Sequence, residues 1–558
     1  MIRSLWRWLL AGWLLISFSA GNAGAAQSLS SYELHEALVG QIRKINPLFS
    51  ASNPVDRDIT SLIYEGLTTI NEYGEVIPDL AQGWIVSTDG LDYIFTLRQD
   101  VLWQDGIVFN AADVAYTIRT LRSPDFPGDP ALRDFWRTVE MQVIDDYTIR
   151  FRLVQPLASF PERLRQGIVP VHALEGAPVA KLDTHPFNLS PIGTGPYQIE
   201  SLFASNGEIS GISLRVSPNY RQRAEGMEGY TLDRIVFRTY PTEEAAVQAY
   251  LDGEVNSIGH VTPEYYDGLR ERADIAVQTT LAPAIGVVIY NWKNDELAYF
   301  RDQRMRLALA RATDRIGAVT KALGNRAIPA ESPILPESWA YDPEARYPAP
   351  NMDEARRLMA QVSFDDYQPP TPEVSADAEG NTEEAEAPPP VPQRRSFKIM
   401  VVDDPGIAAV AFEVANQWVA LGFGVDLDMV DYTTLISRLE AGDFDVALVE
   451  FSLEPKADPD QFVFWHAGQY QIGQNYGGMD DSFIGNVLVQ ARQEPNGINR
   501  KQLYDEFQEA FTSRAPALVM YYPIFIYAMD IRLQGVQLDF ISTPSDRFRT
   551  IKDWYFVD

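Results

Sequence analysis

The 558-residue chain has no cysteine and only five histidines. The first absence rules out disulfides, thiolate metal sites and a thiol nucleophile. The histidines, His35, His172, His185, His260 and His466, are scattered. His35-Glu36 begins like a zinc-protease helix motif, but the second histidine is missing, so no two-ligand face can form. His260 and Glu264 stand four apart and can share a helix face, yet two ligands make no metal site. No G-x-S-x-G and no phosphate-binding loop occurs, and Gly422-Phe423-Gly424 is a lone G-x-G. A hydrolase survives only through a spatial assembly of Ser, His and Asp that no motif announces. Beyond the first residues no segment reads as transmembrane, and positive charge is scarce. Against 77 acidic residues stand 46 basic ones, a formal charge of −31. Nucleic acid and anionic membranes would be repelled by that balance. It reads first as a solubility device, with selection of cationic ligands as the alternative.

What is present begins with a leader. Arg3 and Arg7 precede the apolar run Trp8 to Ala20, and Ala23-Gly24-Ala25 offers small residues for cleavage before Ala26. These are the parts of a secretory signal peptide over 1–25. The run is short for a bilayer span, which needs about 20 apolar residues, so an uncleaved anchor is the lesser reading. A second break spans 365–392, rich in Pro, Glu and Ala with almost no apolar bulk. Such a stretch cannot offset its ordering entropy by burial and reads as a disordered surface insertion.

Between these, the pattern is α/β. Tyr93, Phe95 and Leu97 alternate with Ile94, Thr96 and Arg98, which predicts a strand with one buried face. Asp89-Gly90 and Asp105-Gly106 are turn dipeptides. Asn110 is placed to cap a helix carrying Val114, Ile118 and Leu121. Met305, Leu307, Ala308, Leu309 and Ala312 give a later helix its buried stripe, its arginines reading as a solvated face. Ala517 to Met529 is a dense apolar strand. A chain this long is expected to divide into two or three lobes.

The order Ile63-Tyr64-Glu65-Gly66-Leu67, Pro78-Asp79-Leu80-Ala81, Trp84, Asp89 to Arg98, Trp103-Gln104-Asp105-Gly106 and Ala111-Ala112-Asp113-Val114 resembles the signature of the family 5 extracytoplasmic solute-binding proteins. These are the dipeptide and oligopeptide receptors of bacterial ABC importers. The resemblance continues through Pro191 to Tyr197, Ala245 to Val255 (with Asn256 where Asp is usual), Phe300 to Ile316, Asn351 to Met359 and Leu435 to Val449. It implies an α/β periplasmic-binding-protein fold of two lobes closing over ligand through crossings near 281–290 and 515–523. The first lobe would comprise 26–67, 187–282 and 523–558, carrying an extra subdomain at 68–186. The second would be 283–522, with the acidic insertion inside it.

Further implications are a periplasmic receptor working as a monomer, with peptide as ligand, a partner permease and a separate ATPase, no cofactor, no metal and no enzyme activity. Other ligands of the same fold, an oligosaccharide, a metal chelate or another small solute, stay open, with a sensor partner as a lesser reading. The missing cysteine excludes the acylated anchor of many relatives. Peptide binders of the family carry an aromatic-x-x-Asp shortly before a DP pair, the Asp accepting the peptide's α-ammonium. Here Phe451-Ser452-Leu453-Glu454 precedes Asp458-Pro459-Asp460, so Glu454 stands in the anchor's place with one extra residue before the pair; Asp458 and Asp460 are the alternatives. Phe49 to Asn53, including Ala51, is where relatives present an extended segment to ligand. Tyr290-Asn291-Trp292 at the first crossing, and Asn475-Tyr476, complete the implied ligand face.

Overall fold

The computed structural model describes residues 33–205, 207–221, 230–362, 364 and 395–557. The leader 1–25 and the insertion 365–392 lie outside them. The chain forms two units. One takes the sequence up to Ala282 together with Lys456–Asp458 and Phe525–Asp558; the other takes Pro283–Pro455 and Pro459–Ile524.

In the first unit, strand Leu34–Val39 runs parallel to Arg234–Tyr240 on one side and to Ser257–Ile258 on the other. Glu208–Val216 and Tyr197–Ser205 extend the sheet antiparallel, and Ser257–Ile258 pairs antiparallel with Ala528 and Met529. A separate antiparallel sheet holds Ala81–Val86, Asp92–Leu97, Thr148–Arg152 and Glu140–Asp145 in that spatial order. The alternation read from the sequence is realised: Tyr93, Phe95 and Leu97 are buried, and Thr96 is exposed. Asn110 caps helix Ala111–Leu121 by accepting from the Ala112 N–H at 2.8 Å, and Asp113 returns the bond to the Asn110 N–H at 3.1 Å. Pro191 to Tyr197 runs close against the end of helix Pro54–Ile63, where the Gly195 N–H donates to the Ile63 carbonyl at 2.8 Å. A Cβ on Gly193 would lie 1.8 Å from the Ile63 carbonyl, so only glycine fits.

In the second unit, Gly424–Val430, Ser396–Val402 and Val446–Ser452 run parallel. Ala284–Tyr290 joins antiparallel to Val446–Ser452 and to Ala517, Leu518, Val519 and Tyr521. Helix Pro405–Leu421 is capped by Asp404 and ends at Gly422 in the left-handed conformation, φ 118°. Trp418 on this helix is fully buried.

Two sequence expectations are corrected in these helices. His260 and Glu264 do not share a helix face, because Pro263 opens helix Pro263–Arg270 and leaves His260 outside it. The arginines around helix Gln303–Ala312 are not all solvated. Arg306 is buried, lies over the Trp292 ring at 4.1 Å, and donates to the carbonyls of Phe300, Arg301 and Ala515. Arg315 is likewise buried over Tyr347 and donates to the Ala330 and Val519 carbonyls. Carbonyl oxygens and, for Arg315, the Glu331 carboxylate at 3.0 Å take these donors, with a sequence distance of about two hundred residues for Ala515 and Val519. Burial lowers the Arg306 pKa to about 10, still well above neutrality. Arg306→Met keeps the bulk over Trp292 but strands three carbonyls, which typically costs about 1–3 kcal/mol for each group left unpaired. A clearly lower thermal midpoint is expected in calorimetry; an unchanged midpoint would show that the carbonyls find other donors.

Candidate functional site

Open α/β sheets bind ligands beyond the carboxyl ends of their parallel strands. In the second unit that edge follows Val402, Val430 and Ser452. The strand Val446–Ser452 is buried from Val446 to Val449 and then alternates: Glu450 and Ser452 are exposed while Phe451 is buried. Phe451 packs against Phe464, Trp465 and Tyr476 at ring separations of 4.7, 5.7 and 6.1 Å. It is a foundation for this edge. Tyr476 is half-buried.

Glu454 follows, half-buried, its N–H directed at the Ser452 hydroxyl at 3.3 Å. Asp458 is buried within the stretch Lys456–Asp458 that belongs to the first unit, where the N–H groups of Ala457 and Asp458 donate to the Glu162 carboxylate. Burial, and secondarily the Asp458 charge, push the Glu162 pKa up. Asp460 accepts from the Phe462 N–H at 3.0 Å and pairs with Arg492 at 3.0 Å, so it is a local cap with its own counter-ion.

Several residues expected on the ligand face are tied into the interior instead. The Tyr290 ring is 1% exposed, between Phe300 and Trp418, and offers no surface to a ligand. Trp292 is covered by Arg306. Asn291 donates to the carbonyls of Gly442 and Phe444, and Asn475 to those of His466 and Met479. Both amides satisfy buried backbone that would otherwise be unpaired.

In the first unit, Phe49 to Asn53 is not extended. Asn46 accepts from the Leu48 N–H, Ser50–Ser52 forms a 3-10 turn, and Asn53 caps helix Pro54–Ile63. Local side-chain acceptors favour the turn over a strand here. Phe49 stacks on Phe126 at 5.6 Å, while Ala51 is exposed.

Three groups take on surroundings that the sequence did not reveal. His260, at the carboxyl end of Ser257–Ile258, is reached by solvent and stacks on Phe525 at 5.5 Å; the protein packed around the ring still desolvates it enough to lower its pKa from the usual value. Behind it, Arg547 is wholly buried and contacts Glu36 at 2.5 Å and Asp58 at 2.7 Å. Tyr527 donates to Glu36, and Ser545 to Asp58. Glu450 is the third. The signal for Glu36 and Glu450 was in view, since each is a lone carboxylate interrupting an apolar strand, LHEALV and VALVEFS. An open pocket of about 530 Å³ in the second unit, lined by Lys293, Lys398, Arg438, Asp428, Asp445 and Tyr470 among others, adjoins Asp445 and so lies toward the start of Val446–Ser452, away from its carboxyl end. Among the described residues no cluster of three or more His, Asp or Glu is placed to hold a metal ion, and no helix is long and apolar enough to cross a membrane.

Residues 75–474 match the model of the bacterial extracellular solute-binding proteins, family 5. The chain belongs to this family. It is 24% identical over 551 residues to the oligopeptide-binding protein AppA of Bacillus subtilis, covering 97% of this chain and 94% of that protein. It is 25% identical over 487 residues to di/tripeptide-binding protein 2 of Pseudomonas aeruginosa, covering 83% and 84%. The structure of HbpA2 from Haemophilus parasuis shares the fold with a TM-score of 0.77 at 19% identity, over 94% of this chain and all of that one. AppA in complex with a nonapeptide superposes with a TM-score of 0.63 over 94% and 99%.

Proposed function

We propose that this protein is an exported periplasmic receptor that captures peptides and delivers them to an ABC-type importer whose permease and ATPase are separate chains. The observation that carries the reading is the match, over nearly the full length of both chains, to a receptor named for oligopeptides. The leader composition supports export. The work is binding without chemistry: main-chain groups at the strand ends pair with peptide amides by strand addition, which gives affinity with little sequence selectivity. Within the proposed site Glu454 receives the peptide's α-ammonium, and Tyr476 flanks it above the Phe451 foundation.

Titration calorimetry of the mature protein with a tripeptide and with a disaccharide tests this reading. Saturable one-to-one heat from the peptide alone is the expected result. Heat from the disaccharide alone would overturn it and favour the sugar-binding variant of the fold.

A further inference from the structure

Glu450 is set apart by how it is held. It lies one residue before Phe451, at the carboxyl end of the parallel strand Val446–Ser452, and faces out where the four preceding residues are buried. The Tyr521 hydroxyl donates to its Oε1 at 2.9 Å. The Tyr521 ring reaches it by crossing the neighbouring strand at Gly286, which pairs with Glu450; a Cβ on Gly286 would come within 2.4 Å of that ring. Glycine at 286 thus gives the tyrosine its path, and the tyrosine fixes one carboxylate oxygen. Its Oε2 has no protein donor among the described residues. Solvent reaches the side chain, yet enough protein surrounds it that burial raises its pKa above the ordinary glutamate value, the Tyr521 hydroxyl opposing and Asp404 adding to the rise. A carboxylate that is reached by solvent, ringed by protein and fixed by one hydrogen bond has an open side for a cation.

We infer that Glu450, positioned by Tyr521 over Gly286, is a specificity residue that binds a basic side chain of the peptide, giving the receptor a preference for lysine-bearing ligands. The inference rests on the peptide reading above and adds a second ammonium-binding point to the one placed at Glu454. It also gives the acidic balance of the chain a local counterpart.

The test uses alanine tetrapeptides with one lysine at each position in turn, their norleucine counterparts, and N-acetylated versions of both, titrated into the mature protein and into Glu450→Gln. Glutamine still accepts from Tyr521, so the edge keeps its packing. The original protein is expected to favour lysine over norleucine about tenfold or more at one position, as for a hydrogen bond to a charged group. Glu450→Gln is expected to erase that preference while leaving the effect of acetylation as it was. Tyr521→Phe, which keeps the ring over Gly286, is expected to reduce the preference severalfold. The preference should also fade as pH falls through the raised pKa of Glu450, because protonation removes the charge.

Equal affinity for lysine and norleucine in the original protein overturns the inference. So does a preference that survives in Glu450→Gln. If that variant instead becomes insensitive to acetylation, Glu450 holds the α-ammonium and the assignment to a side chain is wrong. Failure of the original protein to bind any of the peptides would refute the peptide reading itself, and this proposal with it.

Discussion

Arg547→Met is expected to destabilise the first unit by about 3–5 kcal/mol, the usual consequence of removing one partner from a buried ion pair. Both carboxylates of the cluster depend on this guanidinium. Glu36 is fully buried and Asp58 nearly so, and among the described residues Arg547 is the cation that touches both. Burial raises the Glu36 pKa, while the charge of Arg547 and the hydrogen bonds from Arg547 and Tyr527 pull it back. Without the arginine, Glu36 and Asp58 would face each other across the space under Gly259, where a Cβ would already lie 2.8 Å from both Glu36 and Arg547. A companion variant separates charge from packing: Arg547→Met with Glu36→Gln removes one of the stranded charges and is expected to recover part of the loss. Differential scanning calorimetry reads both. A single variant as stable as the original would mean that the cluster contributes no net stability, as replaced ion pairs sometimes do when both members go.

Glu454→Gln is expected to weaken binding of a free-amine peptide by about tenfold to a hundredfold, the range of one hydrogen bond to a charged group, about 1.5–3 kcal/mol. Half-burial places the effect below that of a fully desolvated pair, since solvent screens what remains exposed. N-acetylated peptides should bind the original protein correspondingly poorly and should be indifferent to the substitution. A neutral solute would lose at most about 0.5–1.5 kcal/mol. Calorimetry on both proteins with both peptide forms measures this. If acetylation and substitution each leave a tight affinity untouched, the amine is held elsewhere. Asp460 is a weak substitute, because Arg492 already neutralises it.

Local chemistry was legible in the sequence wherever its causes are short in range. The strand through Tyr93, Phe95 and Leu97, the Asn110 cap and the turns at Gly90 and Gly106, both at positive φ, follow from alternation, side-chain acceptors and glycine freedom within a few residues. The α/β class and the family were legible for a different reason, the order of many such pieces. Arg306 and Arg315 were misread because their acceptors lie on distant segments that no helical wheel reveals. Tyr290 and Trp292 sit where the resemblance placed a ligand, but position along the chain does not say to which side of the strand a ring turns. Asn291 and Asn475 gave no warning either, since an amide that binds ligand and one that satisfies buried carbonyls look alike in sequence. Glu36 and Glu450 were visible as carboxylates breaking apolar runs. Only the fold shows that one is enclosed with Arg547 and the other open beside Tyr521.

A receptor that captures peptide without chemistry returns it unchanged. Native mass spectrometry of the mature protein incubated with an equimolar free-amine tetrapeptide tests it most directly. A complex of one protein with one intact peptide, and release of that same peptide mass on denaturation, is the expected result. Absence of any peptide complex, or recovery of cleaved fragments, would contradict it.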